Sequence, residues 1–182
     1  METTNSLESK LKEQWLKELS EFIVEANCNT YAINEGEVLP QRPGYKEFEY
    51  KKGPWLLRDS YTGYFRAPGM TTVYYKDIPS WTMAYGGHGQ TEGYEDRANQ
   101  TFQFLKSALT QVNVGSPFRG PERYQVDNKV YTFNMLTGDI TDGLWKEEIT
   151  ESGIVMFTQI GIVGCVIHKD SNRQPIFPWT RS

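Results

Sequence analysis

"VLPQRPGYKEFEYKKGPWLLRDSYTG" (residues 38–63) and "GSPFRGPERYQVDNKVYTFNMLTG" (residues 115–138) are written on one plan. In each, a proline stands two residues before an arginine, Pro40 before Arg42 and Pro117 before Arg119. Two aromatic-rich runs then follow around a tight bend, and a glycine closes the stretch at Gly63 or Gly138. The bends carry Gly53 and Asn128, residue types that readily adopt positive φ. Each stretch reads as a β-hairpin, and their likeness predicts that one unit occurs twice.

A helix precedes each hairpin. "NSLESKLKEQWLKELSEFIVEAN" (5–27) spaces Leu7, Leu11, Trp15, Leu19, Phe22, Ile23 and Ala26 by threes and fours, and Asn5 with Glu8 has the spacing of a capping box. "DRANQTFQFLKSALTQV" (96–112) puts Phe102, Leu105, Ala108, Leu109 and Val112 on one face, with Glu92, Glu95 and Asp96 upstream where the helix dipole favours them. After the first helix come "KEFEY", "PWLLRDSY", "TTVYYKD" and "SWTMAYG"; after the second come "ERYQV", "KVYTFNML", "WKEEITES" and "IVMFTQIGIVGCVI". Such aromatic and β-branched runs, bounded by Gly, Pro, Asp and Asn, read as strands. The fold class is therefore α+β, antiparallel sheet with two main helices, on the plan of an α-β-β-β-β unit used twice about a pseudo-twofold axis. Aligning the halves sets Phe22 on Phe104, Ala26 on Ala108, Arg42 on Arg119 and Asp59 on Asn134. One domain over 1–182 is expected, with halves 5–95 and 96–170, a tail 171–182, and a groove between the halves.

The chain has 182 residues, 38% hydrophobic and 14% aromatic, which argues for a packed core and against disorder. A net charge of -4 with no basic run argues against direct nucleic-acid binding. The longest apolar stretch, Ile160 to Ile167, is too short for a membrane span, and no basic-then-apolar leader opens the chain. The expected location is the cytoplasm. Cys28 and Cys165 read as buried thiols rather than a disulfide. No metal-ligand spacing and no cofactor fingerprint is present, and nothing in the chain speaks to its oligomeric state.

"FIVEANCNTYA", "RPGYKEFEY", "LRDSYTGYF", "PSWTMAYGG", "FQFLKSAL" and "PFRGPERY", in this order, resemble an uncharacterised domain family of prokaryotic proteins. The resemblance covers about residues 19 to 162. In that family the domain occurs alone or after an Xre-type helix-turn-helix, which implies ligand sensing through the company the domain keeps. Here a single helix precedes the domain, shorter than a DNA-binding module.

Candidate site residues follow from residue type and alternation. Arg42 and Arg119, in Pro- and Gly-flanked loops, offer planar forks for a carboxylate or phosphate, or else cap carbonyls or pair with Glu122. Trp55, Leu57, Asp59 and Tyr61 share one strand face, so Asp59 is either a polar anchor in a pocket or a buried acid paired with an arginine. Trp81, Met83 and Tyr85 share the next face, as pocket wall or as core. "YGGHGQTEGYED" (85–96) reads as a flexible loop, and its His88, which Glu92 could orient, is the weak candidate for an acid or base. Glu147 and Glu148 fall on opposite faces of their strand and cannot act as a carboxylate pair.

The first functional expectation is binding of a small anionic or zwitterionic molecule, or a peptide, through Arg42, Asp59, Tyr61, Trp81, Tyr85 and Arg119. A hydrolase- or isomerase-like enzyme using the same cleft is the alternative. The absence of an activated nucleophile in the sequence pattern leans away from it. A third reading is an interaction module using the apolar tail "RQPIFPWTRS", which could instead pack back on the domain.

Overall fold

The computed structural model describes residues 2–33 and 35–180, with side chains from residue 6 onward. The chain runs through helix α1 (Glu2–Cys28), strands β1 (Glu37–Val38), β2 (Lys46–Lys52), β3 (Trp55–Tyr61), β4 (Gly69–Tyr75) and β5 (Ile78–Gln90), then helix α2 (Ala98–Leu109). Strands β6 (Arg123–Val126), β7 (Lys129–Asp139), β8 (Asp142–Glu151) and β9 (Ile154–Cys165) follow, then β10 (His168–Lys169) and β11 (Pro175–Ile176). Short 3-10 turns cover Tyr31–Ile33, Glu95–Arg97 and Pro178–Thr180.

The fold is α+β. Nine strands form one sheet in the order β1-β2-β3-β4-β5-β9-β8-β7-β6, and β10 and β11 pair separately. Every pairing is antiparallel. Apart from the two-residue β1, the order reads the same from either edge: β2 to β5 and β6 to β9 are both meanders, each follows a helix, and they meet where β5 pairs with β9.

Both helices lie on one face of the sheet. From α1, Trp15, Leu19, Phe22, Ile23 and Ala26 are buried in the same core as Phe104, Leu105, Ala108 and Leu109 of α2. Burying a Leu, Ile or Phe contributes about 1.5–3 kcal/mol each, which fixes these helix faces on the sheet. Trp55 stacks on Phe22 at 5.6 Å, and Trp81, Phe118, Phe133 and Trp145 continue the aromatic layer. The apolar stripe of α1 packs only from Trp15 onward, since Leu7 and Leu11 are exposed. The expected capping by Asn5 involves a side chain outside the described residues.

One expectation is corrected. Residues 86–90 are not a loop: β5 runs through them, with a bulge between the pairs Gly86 with Ile160 and Gly89 with Thr158. Gly87 and Gly89 supply the positive φ values, 125° and 57°, on which this bulge depends. The tail packs back on the domain. Trp179 stacks with Phe177 at 5.0 Å and meets Trp15 of α1 at 6.2 Å, and Pro178 is buried. Cys28 and Cys165 are both free thiols of intermediate exposure. Among the described residues no helix is long and apolar enough to cross a membrane.

Candidate functional site

Between the inner face of β3, β4 and β5 and the segment formed by α2 and the Tyr31–Ile33 turn lies a cavity of about 350 Å³. Its walls are aromatic: Tyr31, Tyr61, Tyr64, Phe65, Tyr85 and Phe102 all line it. Tyr64 and Phe65 come from the β3–β4 connection, and Tyr64 packs edge-on against Phe102 of α2 at 5.1 Å. That connection is tied to β5 where Gln90 N–H donates to the Phe65 carbonyl at 2.8 Å. A Cβ on Gly89 would lie 2.2 Å from the same carbonyl, so the bulge glycine makes room for the covering segment.

Asp59 is the acidic group of the lining. The registers place Phe48, Asp59, Thr71 and Met83 in one cross-strand row and Lys46, Tyr61, Gly69 and Tyr85 in the next. Thr71 Oγ1 donates to Asp59 Oδ1 at 2.7 Å, and Tyr85 Oη lies 3.0 Å from both carboxylate oxygens. Tyr85 reaches across because Gly69 has no side chain: a Cβ there would stand 2.5 Å from Tyr85 Oη and 2.7 Å from Tyr61 Cβ. Among the described residues no cationic side chain comes within ion-pair distance of Asp59. Burial pushes its pKa up, against the pull of the Thr71 and Tyr85 hydrogen bonds and the more distant Arg119 charge. Burial and the Asp59 charge likewise hold the Tyr85 phenol well above its ordinary value, so its proton stays on as the donor.

Arg119 also lines the cavity, but its charge is committed elsewhere. Its Nε donates to Glu147 Oε2 at 3.0 Å and its Nη2 to Oε1, a bidentate pair in which Glu147 has no exposure at all. Tyr131 Oη gives Glu147 a further bond at 2.8 Å. Burial works against the guanidinium charge, and the Glu147 carboxylate outweighs it. At the open side stand Lys46 and Lys106. Burial and then the Lys46 charge lower the Lys106 pKa, and its Nζ sits 4.5 Å over the Tyr31 ring. Burial raises the Tyr31 phenol to about 12.

Asp59, Tyr61, Tyr85 and Arg119, picked out from the sequence, thus meet at one cavity, whereas Arg42, Trp81 and His88 do not line it. Arg42 stacks on Tyr45 at 3.9 Å and donates to Ser60 on the outer face of the sheet, beside Glu47. Trp81 is core, fully buried, with its indole N–H donating to the Ile140 carbonyl at 2.9 Å. His88 is exposed on the β5 bulge. Asp59 is not the arginine-paired acid of the alternative reading, and the partner of Arg119 is Glu147, not the nearby Glu122. Glu147 turns inward and Glu148 outward to Lys146, as strand alternation predicts. The residues that sequence reasoning missed are Tyr31, Thr71, Lys46, Lys106, Phe102 and the Tyr64–Phe65 pair. The last had a signal: two aromatics between Gly63 and Pro68, too short a gap for another strand. Among the described residues no group of three His, Cys, Asp or Glu side chains is placed to hold a metal ion.

Comparison with known proteins finds one family, described as a domain of unknown function (DUF5680), matching residues 59–167. The matched segment spans Asp59, Thr71, Tyr85, Arg119 and Glu147 and leaves out α1, Tyr31 and Lys46. No curated protein and no solved structure matches the chain. Because the match covers more than half of its length, the chain belongs to the DUF5680 family.

Proposed function

We propose that the chain binds a small molecule in the cavity between α2 and β3–β5, anchored at its buried end by Asp59 and walled by Tyr31, Tyr61, Tyr85 and Phe102. One observation carries this reading: a carboxylate in an aromatic cavity, oriented by two hydroxyls and, among the described residues, without a cationic partner. An acid turned toward the interior only for stability is ordinarily paired with a charge or replaced by an apolar side chain. Mostly aromatic walls with few fixed polar groups are the general form of a small-molecule site, and about 350 Å³ falls in the usual range of such sites.

In this reading the two α-β-β-β-β halves are copies of one unit, a view supported by the matching strand order on either side of the β5–β9 pair. The protein works in the cytoplasm. Its resemblance to a prokaryotic domain found alone or after an Xre-type helix-turn-helix supports a sensing role, in which occupancy of the cavity is the signal.

The test is a thermal-shift screen against a metabolite library. A ligand at 100 times its Kd adds about 2.7 kcal/mol to the native state, roughly 5–10 °C in Tm for a chain of this length. The expected hits lose their shift in the Asp59→Asn variant. Hits whose shift survives both Asp59→Asn and Tyr85→Phe would place binding elsewhere and refute the proposal.

A further inference from the structure

We propose that the ligand is an organic ammonium, its protonated nitrogen set against Asp59 and its body between the aromatic walls. This rests on the small-molecule reading above and narrows it.

The charges of the cavity floor point that way. Asp59 is the carboxylate of the lining and Arg119 the guanidinium beside it, and Arg119 is held bidentately by Glu147, which lies behind the lining. Among the described residues, the side-chain donors to Asp59 are the neutral hydroxyls of Thr71 and Tyr85. Among the described residues, the group formed by Asp59, Arg119 and Glu147 is therefore one cation short whenever Asp59 is ionised. A carboxylate so placed either takes up a proton or meets a cation, and desolvation accordingly raises the Asp59 pKa above its ordinary value.

An anionic group at the same depth would face Asp59 directly. The nearest guanidinium, Arg119, already has its charge balanced by Glu147, so it offers such a group less than a free cation would. An ammonium meets neither obstacle. It gains charge-assisted hydrogen bonds to the carboxylate and the attraction of ring faces around it. The walls already hold one cation in this way, Lys106 over Tyr31 at 4.5 Å. Lys46, exposed in the lining, sets the ligand's polarity: its charge repels a second ammonium there and attracts an acid. A zwitterion with its nitrogen innermost fits this layout, and a simple anion does not.

Three probes of one body and different charge decide it: phenethylamine, 2-phenylethanol and 3-phenylpropionate, titrated at neutral pH by calorimetry into the full-length protein. Phenethylamine should bind about tenfold or more tighter than the other two, the scale of a charge-assisted contact over a neutral one. In Asp59→Asn the three should fall within about threefold of one another. The series on the unaltered protein settles the charge preference even if the variant fails to fold. Equal binding of all three, or tighter binding of the carboxylate, overturns the ammonium assignment and leaves small-molecule binding standing. No binding by any probe at millimolar concentration counts against both.

Discussion

Replacing Arg119 by methionine is expected to damage the fold rather than merely the cavity. The Arg119 side chain is 11% exposed and its partner Glu147 is 0% exposed, so the pair is shielded from solvent. Arg119→Met removes both bonds of the fork at once and leaves Glu147 with the Tyr131 hydroxyl alone. Glu147 is then left in the interior without its counter-ion, and breaking such a pair from one side costs about 3–5 kcal/mol. For a chain of this length that is a fall of roughly 6–20 °C in Tm. Urea unfolding followed by tryptophan fluorescence reads the loss directly, since Trp81 and Trp145 are fully buried. The double variant Arg119→Met with Glu147→Leu, which removes both charges and keeps apolar volume, should recover most of the stability. A cost under about 1 kcal/mol for the single variant, or a double variant as unstable as the sum of the two singles, would refute the claim that Arg119 is held by Glu147. It would also restore Arg119 as a free cation for an anionic ligand.

Asp59 should respond to pH in the opposite sense from a salt-bridged acid. Burial raises its pKa above the ordinary 3.8, so the folded state keeps this proton to higher pH than the unfolded chain does. Asp59 therefore adds stability below the unfolded pKa and loses that contribution as pH rises to the folded pKa. The Tm of wild type minus that of Asp59→Asn should fall as pH rises from about 4 and then level off, and a difference that grows with pH would contradict it. Gly69→Ala should cost about 1–3 kcal/mol and weaken ligand binding, because the new Cβ takes the space of Tyr85 Oη. A variant with wild-type denaturant midpoint and wild-type binding would show that Tyr85 does not need that gap. Trp179→Ala should lower stability by about 1–2 kcal/mol without altering probe affinity, since the tail packs on α1 away from the cavity. A loss of affinity in that variant would mean that the tail acts on the site.

The helices and the meanders were legible because each segment repeats its own period. Phe102, Leu105 and Leu109 mark a helix face, and the alternation through Trp55, Leu57, Asp59 and Tyr61 marks a strand with one inward face. The same alternation put Asp59, Tyr61 and Tyr85 on inner faces, and that is why they were found. The stretch from Gly86 to Gly89 misled for a physical reason. Glycines that look like a loop here serve a bulge inside a 13-residue strand, where positive φ and a close approach to Phe65 are both required. Trp81 and Tyr85 were indistinguishable by pattern, because wall and core share one periodicity. What separates them is the register with β4, where Tyr85 lies over Gly69. Nor could local sequence pair Arg119 with Glu147, 28 residues away on β8, or set Thr71 opposite Asp59. Those contacts arise from the order of strands, and with them the distinction between a committed guanidinium and an uncommitted carboxylate.

The most direct test of the central claim is a crystal structure of the protein with the best thermal-shift hit bound. The account predicts density in the cavity between α2 and β3–β5, with a donor group of the ligand within hydrogen-bond distance of an Asp59 oxygen and the Arg119–Glu147 pair intact. A ligand seated on the outer face of the sheet or beside the α1–tail contact, or one that draws Arg119 away from Glu147 and leaves Asp59 untouched, would contradict it.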